Sequence, residues 1–202
     1  MTDKDRPHLN YGIITNLIEE NSTVLDLGCG DGELLLRLMR EKNVKGRGVD
    51  IEERMIMLCI SKGISVFQGN LDEGLKDYGS KSYDYVILNQ TLQVTHKPIL
   101  VLNEMLRVGK RAIISFPNFG HYKLILQLLF RGRMPVTKDL PYQWYNTPNI
   151  HLCTRNDFIE LCRENNIKII REIDIREGKI ISGFLPNLRA TEVIFILEKE
   201  SV

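Results

Sequence analysis

Cysteine is scarce in this chain, and the four that occur, Cys29, Cys59, Cys153 and Cys162, lie far apart with no C-x-x-C pair. That spacing speaks against a zinc site and against a disulfide framework, and leaves free thiols in a reducing cytoplasm as the reading. No sign of charge predominates: 27 Lys and Arg stand against 26 Asp and Glu, a net +1. A constitutive nucleic-acid binder carries a basic surplus and a solvating tail an acidic one, so both are disfavoured. No apolar run nears the roughly 18 residues that a membrane span needs. The most apolar stretch, Tyr122 to Phe130, is broken by Lys123 and Gln127. Residues 1 to 10 are polar, without the apolar segment of a secretory signal. No period of about 20 to 50 residues recurs, which argues against a solenoid. What is present is 202 residues, 43% of them apolar, ample for one domain with a core and for a sizeable insertion.

The first 116 residues alternate short β-branched runs with longer helical patterns. Strands are expected at Thr23 to Leu27, Gly46 to Asp50, Ile64 to Gln68, Tyr83 to Leu88 and Arg111 to Phe116. Helices are expected at Glu33 to Lys42, at Glu52 to Lys62 ahead of Gly63, and between Pro98 and Gly109. Such alternation means βαβ units and a parallel sheet. From Pro117 to Cys153 the texture changes. Four of the seven prolines and six of the fifteen aromatics fall in these 37 residues, and Lys123, Arg131, Arg133 and Lys138 face only Asp139. A helix at about His121 to Phe130 and then an irregular segment are predicted. Thr154, with Asp157 three residues on, reads as a capping box for a helix to about Asn165. Lys168 to Ile175 and Glu192 to Leu197 are strand-like. The fold class that results is α/β: a doubly wound, mostly parallel, seven-stranded sheet with one late antiparallel strand and an insertion after strand five.

The most informative segment is Asp26-Leu27-Gly28-Cys29-Gly30-Asp31-Gly32-Glu33. A glycine-rich turn between the first strand and its helix lets backbone approach a nucleotide-like ligand at the helix N-terminus. A pyrophosphate would want G-x-G-x-x-G, whereas the spacing here is G-x-G-x-G and the sixth position is Glu33. Asp26, two positions before the first glycine, suits a ligand with an ammonium group and no phosphate. Asp50, closing the second strand 18 residues after Gly32, is placed to take both ribose hydroxyls on its carboxylate.

Together these residues resemble the cofactor signature of class I S-adenosylmethionine-dependent methyltransferases. That resemblance implies S-adenosylmethionine, or S-adenosylhomocysteine as product, as the cofactor. Gly28, Cys29 and Gly30 would wrap its amino-acid end, with Asp26 holding the ammonium. Asp50 would bind the ribose, Ile51 would pack on adenine, Asn70 and Leu71 would meet the adenine edge, and Asn89 would lie under the methionyl part. Residues 1–202 then form a single methyltransferase-like domain, with 117–153 an insertion or lid over the active-site mouth.

Methyl transfer is an in-line displacement that needs a base only where the nucleophile must lose a proton early. After the fourth strand the sequence reads Asn89-Gln90-Thr91-Leu92, not the Asn-Pro-Pro-aromatic of nucleic-acid amino methylation. No catalytic residue is assigned. His121 and His151, bracketing the insertion, are weak candidates for a base, while His96 beside Pro98 reads as solvated. Tyr142, Trp144 and Tyr145 could face a cation, but are read rather as the insertion's own apolar core.

The insertion and its surroundings carry a closer resemblance. Asn89-Gln90-Thr91-Leu92-Gln93, Ser115-Phe116-Pro117-Asn118-Phe119-Gly120-His121, Arg131-Gly132-Arg133-Met134-Pro135-Val136-Thr137 and the run from Leu140 to Thr154 are similar to the MetW family of methionine biosynthesis. The likeness runs from Val24 to about Ile175, leaving 1–22 and 176–202 uninformative. It implies a cytoplasmic protein of amino-acid biosynthesis that supports homoserine O-acetyltransferase, with no established methyl acceptor. Two readings follow: an S-adenosylmethionine-binding accessory subunit, or a methyltransferase acting on a small molecule. Neither calls for nucleic acid, a membrane or a metal.

Overall fold

In the computed structural model, residues 10–137 and 140–199 are described. Lys138 and Asp139, part of the charge pattern read in the insertion, lie outside them. The elements are helix α1 (Tyr11–Leu17), strand β1 (Thr23–Leu27), α2 (Glu33–Lys42), β2 (Lys45–Asp50), α3 (Glu53–Ser61), β3 (Ser65–Gln68) and β4 (Tyr83–Asn89). There follow α4 (Pro98–Val108), β5 (Gly109–Pro117), α5 (Tyr122–Arg131), α6 (Arg155–Glu164), β6 (Ile167–Arg176), β7 (Lys179–Ile181), α7 (Pro186–Arg189) and β8 (Glu192–Lys199). The strands lie in the order β3-β2-β1-β4-β5-β8-β6-β7.

The first five strands pair in parallel, and their connections pass through helices on both faces. An inner parallel strand is covered on both sides, which is why β1 reads T-V-L-D-L with no apolar–polar alternation. Val24 contributes to a layer with Ile14 of α1, Leu34, Leu35 and Leu38 of α2, and Ile87, Ile113 and Ile194 of the neighbouring strands. Leu25 and Leu27 point the other way, into a layer with Leu102, Met105 and Leu106 of α4 and Phe158 of α6. Phe116, Phe158 and Phe195 meet there at ring separations of 4.7 to 6.0 Å. Aromatic pairs at such distances contribute about 0.5–1.5 kcal/mol each beyond the area they bury.

Eight strands form where seven are expected from the sequence, and two of them, β8 and β7, run against the parallel five. The additional strand comes from Glu177-Gly178, whose φ angles of 52° and 75° make a two-residue hairpin turn. Positive φ at both central positions matches strand twist, so Arg176 pairs with Lys179 and the chain folds back at once.

The capping box at α6 is formed: Thr154 accepts from the Asp157 amide, and the Asp157 carboxylate accepts from the Thr154 amide at 3.0 Å. Between β5 and α6, α5 ends at Gly132 in the left-handed conformation and an irregular segment follows. The two ends of this excursion are pinned together. The Phe119 amide donates to the Cys153 carbonyl at 3.0 Å, and the Arg155 amide to Asn118 Oδ1 at 2.9 Å. Its far side hangs on Gln93, whose carbonyl accepts from the amides of Ile150 and His151. The aromatics expected to form the insertion's core are instead turned out: Trp144 is 73% and Tyr145 70% exposed, in contact with each other edge to face. So short a segment, interrupted by Pro141 and Pro148, has no second layer of its own to bury them.

Candidate functional site

In a doubly wound sheet, ligands bind beyond the carboxyl ends of the strands where the strand order reverses. Here that point lies between β1 and β4, since the chain winds from β1 outward to β3 and then returns to β4 on the other side. The glycine loop leaves β1 there. Its amides are held from below: those of Gly28 and Cys29 both donate to the Val49 carbonyl, at 2.8 and 3.1 Å. The Gly30 amide donates to Asp50 Oδ2 at 2.8 Å, and the Glu52 amide to Asp50 Oδ1 at 2.9 Å. One lone pair on each Asp50 oxygen is thereby used, and a carboxylate has about four acceptor sites.

The glycines have separate reasons. Gly28, at φ 68°, lies against Thr91 so closely that a Cβ would sit 2.7 Å from its side chain. Gly32, at φ 77°, starts α2, and a Cβ there would lie 2.4 Å from Ile64 Cδ1. At Gly30 a Cβ would meet nothing within 4 Å, so the backbone borders open space. Cys29 is buried against Gly48 and its sulfur lies 4.0 Å from that of Cys59. Burial, with Asp26 nearby, pushes the Cys29 thiol well up, so it is a packing residue and not a nucleophile.

Asp26 is 3% exposed on the α1–α2 side of the sheet, in register with Gly48 and Ile87. Burial, and then the charge of Asp50, push its carboxyl up to about 8. Nothing cationic among the described residues offsets either effect. A buried carboxylate without a cation is costly, and burial therefore favours the protonated carboxyl at neutral pH.

The other expected residues are distributed as follows. Ile51 is 65% exposed beside Asp50. The Gly69 amide donates to the Asp50 carbonyl, which places Asn70 and Leu71 directly after the end of β3; Asn70 accepts from the Asp72 amide and Leu71 opens a short 3-10 turn. Asn89 ends β4, where its Oδ1 accepts from Asn10 Nδ2 at 2.7 Å and from the Ser115 hydroxyl. His121 and His151 are not brought to the glycine loop by any contact described. His121 is buried with Nε2 unpartnered among the described residues, and burial, together with Lys123 and Arg176, lowers its pKa. His151 is exposed and borders an apolar cavity of about 100 Å³ between α4, the end of β5, α6 and the insertion. That cavity, lined by Phe116 and Phe158, is on the opposite face of the sheet from Asp26.

Sequence reasoning missed α1 and Asn10 at its start. Tyr11 is buried close enough to Asp26, Asp31 and Glu33 for their charges, after burial itself, to raise its pKa. Asn10 also donates to Ser115 and to Glu192, at the start of β8. The spacing of Tyr11, Ile14 and Ile18 carried the helical signal that locates this cover.

The strand order, the glycine loop and the acid ending β2 define a protein with the class I methyltransferase fold. Solved structures agree. An S-adenosylmethionine-dependent methyltransferase from Thermotoga maritima superposes with a TM-score of 0.68, covering 98% of this chain and 90% of its own, at 16% identity. The (4+2)-cyclase SpnF superposes with a TM-score of 0.70, covering 97% and 82%, at 15% identity. At such identities the likeness is one of fold. The chain belongs to the MetW family, described as methionine biosynthesis protein MetW, which it matches over residues 8–197. It is also 35% identical over 200 residues to the bifunctional methionine biosynthesis protein MetXA/MetW of Rhodopirellula baltica, which covers 93% of this chain. The chain spans about a third of that relative's length, 32%.

Proposed function

We propose that this chain binds S-adenosylmethionine, or S-adenosylhomocysteine, at the β1–β4 switch point and works in cytoplasmic methionine biosynthesis beside homoserine O-acetyltransferase. The observation that carries the cofactor reading is Asp26, a buried carboxyl with no cation beside it among the described residues, two positions ahead of a loop whose Gly30 borders open space. The α-ammonium of a methionyl group supplies the missing charge. The free lone pairs of Asp50 are left for two ribose hydroxyls, and exposed Ile51 offers apolar surface to adenine. Asn70, Leu71 and Asn89 complete the set from the neighbouring strand ends. When bound, S-adenosylmethionine supplies a methyl group on a cationic sulfur. Support for the partner comes from the Rhodopirellula relative, whose name joins MetXA and MetW in one polypeptide.

A second reading, a methyltransferase acting on a small molecule, draws on the fold it shares with the Thermotoga enzyme. A cyclase with the same fold warns that the fold does not name a reaction. Calorimetry separates the readings. S-adenosylmethionine is titrated into the wild type and into Asp50→Ala, with and without purified homoserine O-acetyltransferase. Binding that Asp50→Ala weakens at least about tenfold supports the site, and no binding by the wild type refutes it. If partner and cofactor are coupled, each shifts the other's affinity by the same factor. Cofactor binding with no association, together with methyl turnover in a metabolite extract, selects the second reading.

A further inference from the structure

Among the described residues, helix α5 has no inner layer to explain its composition. Of its ten residues, Y-K-L-I-L-Q-L-L-F-R, only Leu124 is buried. A surface helix ordinarily turns its apolar stripe to its own core. Here Ile125, Leu126 and Leu128 are each more than two-fifths exposed, Leu129 is 70% exposed and Phe130 79%. At helical spacing, 125 neighbours 128 and 129, and 126 neighbours 129 and 130, so the five side chains form one continuous stripe. Exposed apolar surface of this extent marks an interaction site. Its edge is cationic: between Pro117 and Thr137 the chain carries Lys123, Arg131 and Arg133 and no acidic residue.

We propose that this face of α5 is the surface on which homoserine O-acetyltransferase docks, the partner meeting it with an apolar groove edged by acidic side chains. The inference rests on the partner reading above and assigns it a place. Two observations choose this occupant. The relative that joins MetXA to MetW holds the two units together in one polypeptide. A second copy of this chain docking through the same face would bring one cationic edge against another, which disfavours a two-fold dimer here.

The test uses the full chain and purified homoserine O-acetyltransferase in sedimentation velocity and calorimetry. Leu129→Asp with Phe130→Asp is expected to weaken association at least about tenfold, these being the two most exposed apolar side chains of the stripe. Arg131→Glu with Arg133→Glu is expected to weaken it and to flatten its dependence on salt. Circular dichroism and S-adenosylmethionine affinity should be unchanged in both variants, since the replaced side chains are exposed and none belongs to the glycine loop or is Asp26 or Asp50. If the wild type binds the acyltransferase and the Asp variant binds equally well, the surface is wrong while the partner stands. If the wild type does not bind it at all, the partner reading itself fails and the docking surface falls with it. Self-association abolished by the same substitutions, or binding to phosphatidylglycerol–phosphatidylcholine vesicles in place of the acyltransferase, would overturn the choice of occupant.

Discussion

Asp26→Asn changes the charge at the centre of the site while keeping its shape, and its effect can be worked out in advance. The Asp26 carboxyl is pushed up to about 8 by burial and by Asp50. In the unfolded chain it titrates near pH 4. Between these values the folded state holds a proton that the unfolded state has released. The corresponding stability is therefore fully present below about pH 4 and is lost as pH rises through about 8. Each pH unit in that window removes about 1.4 kcal/mol, up to about 6 kcal/mol in all. For a domain of this size that is a fall in Tm of about 4 °C per unit. Asn cannot ionise, so the difference in Tm between variant and wild type should widen from pH 5 to pH 8 in favour of the variant. Ligand binding supplies a second readout. At pH 7 a group titrating near 8 is about nine-tenths protonated. Arrival of an ammonium group ionises it, and calorimetry in buffers of different ionisation enthalpy should register release of about one proton per S-adenosylmethionine bound, absent in Asp26→Asn. Parallel Tm–pH profiles for the two proteins would refute the argument from burial. Binding without proton release would refute the pairing with the ammonium.

Three further outcomes are expected. Gly32→Ala combines a left-handed backbone with a Cβ 2.4 Å from Ile64 Cδ1 and 2.9 Å from Cys59 Sγ, and should cost about 2–3 kcal/mol in urea unfolding. Asn118→Ala removes a buried amide that donates to the carbonyls of Asn187 and Ala190 and accepts from the amides of Gly120 and Arg155, which should cost about 3 kcal/mol on the same measurement. Cys29, buried with its thiol pKa raised, should resist iodoacetamide in the native chain at pH 8 and react within minutes once urea unfolds it, as peptide mapping would show.

The regular part of the fold was legible for a local reason. β1 and α2 begin and end where the sequence patterns place them, because an inner parallel strand is mostly apolar and the following glycines and helix formers bracket it. The β6–β7 hairpin was not legible, because a three-residue strand has too few positions to show alternation and its Glu-Gly turn is an uncommon signal. In the site, Asp26, the glycine loop and Asp50 could be read directly, since all lie within 25 residues around one strand–helix turn. The cover over them could not. Asn10, Asn89, Ser115 and Glu192 come from four separate places, and only the sheet order puts their side chains in hydrogen-bonding reach.

What the amino-acid order determined by itself is therefore everything that depends on near neighbours: the βαβ units, the strand ends, the phosphate-free glycine loop with its two carboxylates, and the strings shared with the MetW family. Tertiary structure alone decided which of these groups lack a partner. Among the described residues, it buried Asp26 away from any cation and left the apolar face of α5 without a layer to cover it. Both are statements about what stands on the far side of a side chain, and that is set by packing between distant segments, where desolvation and unburied area are decided.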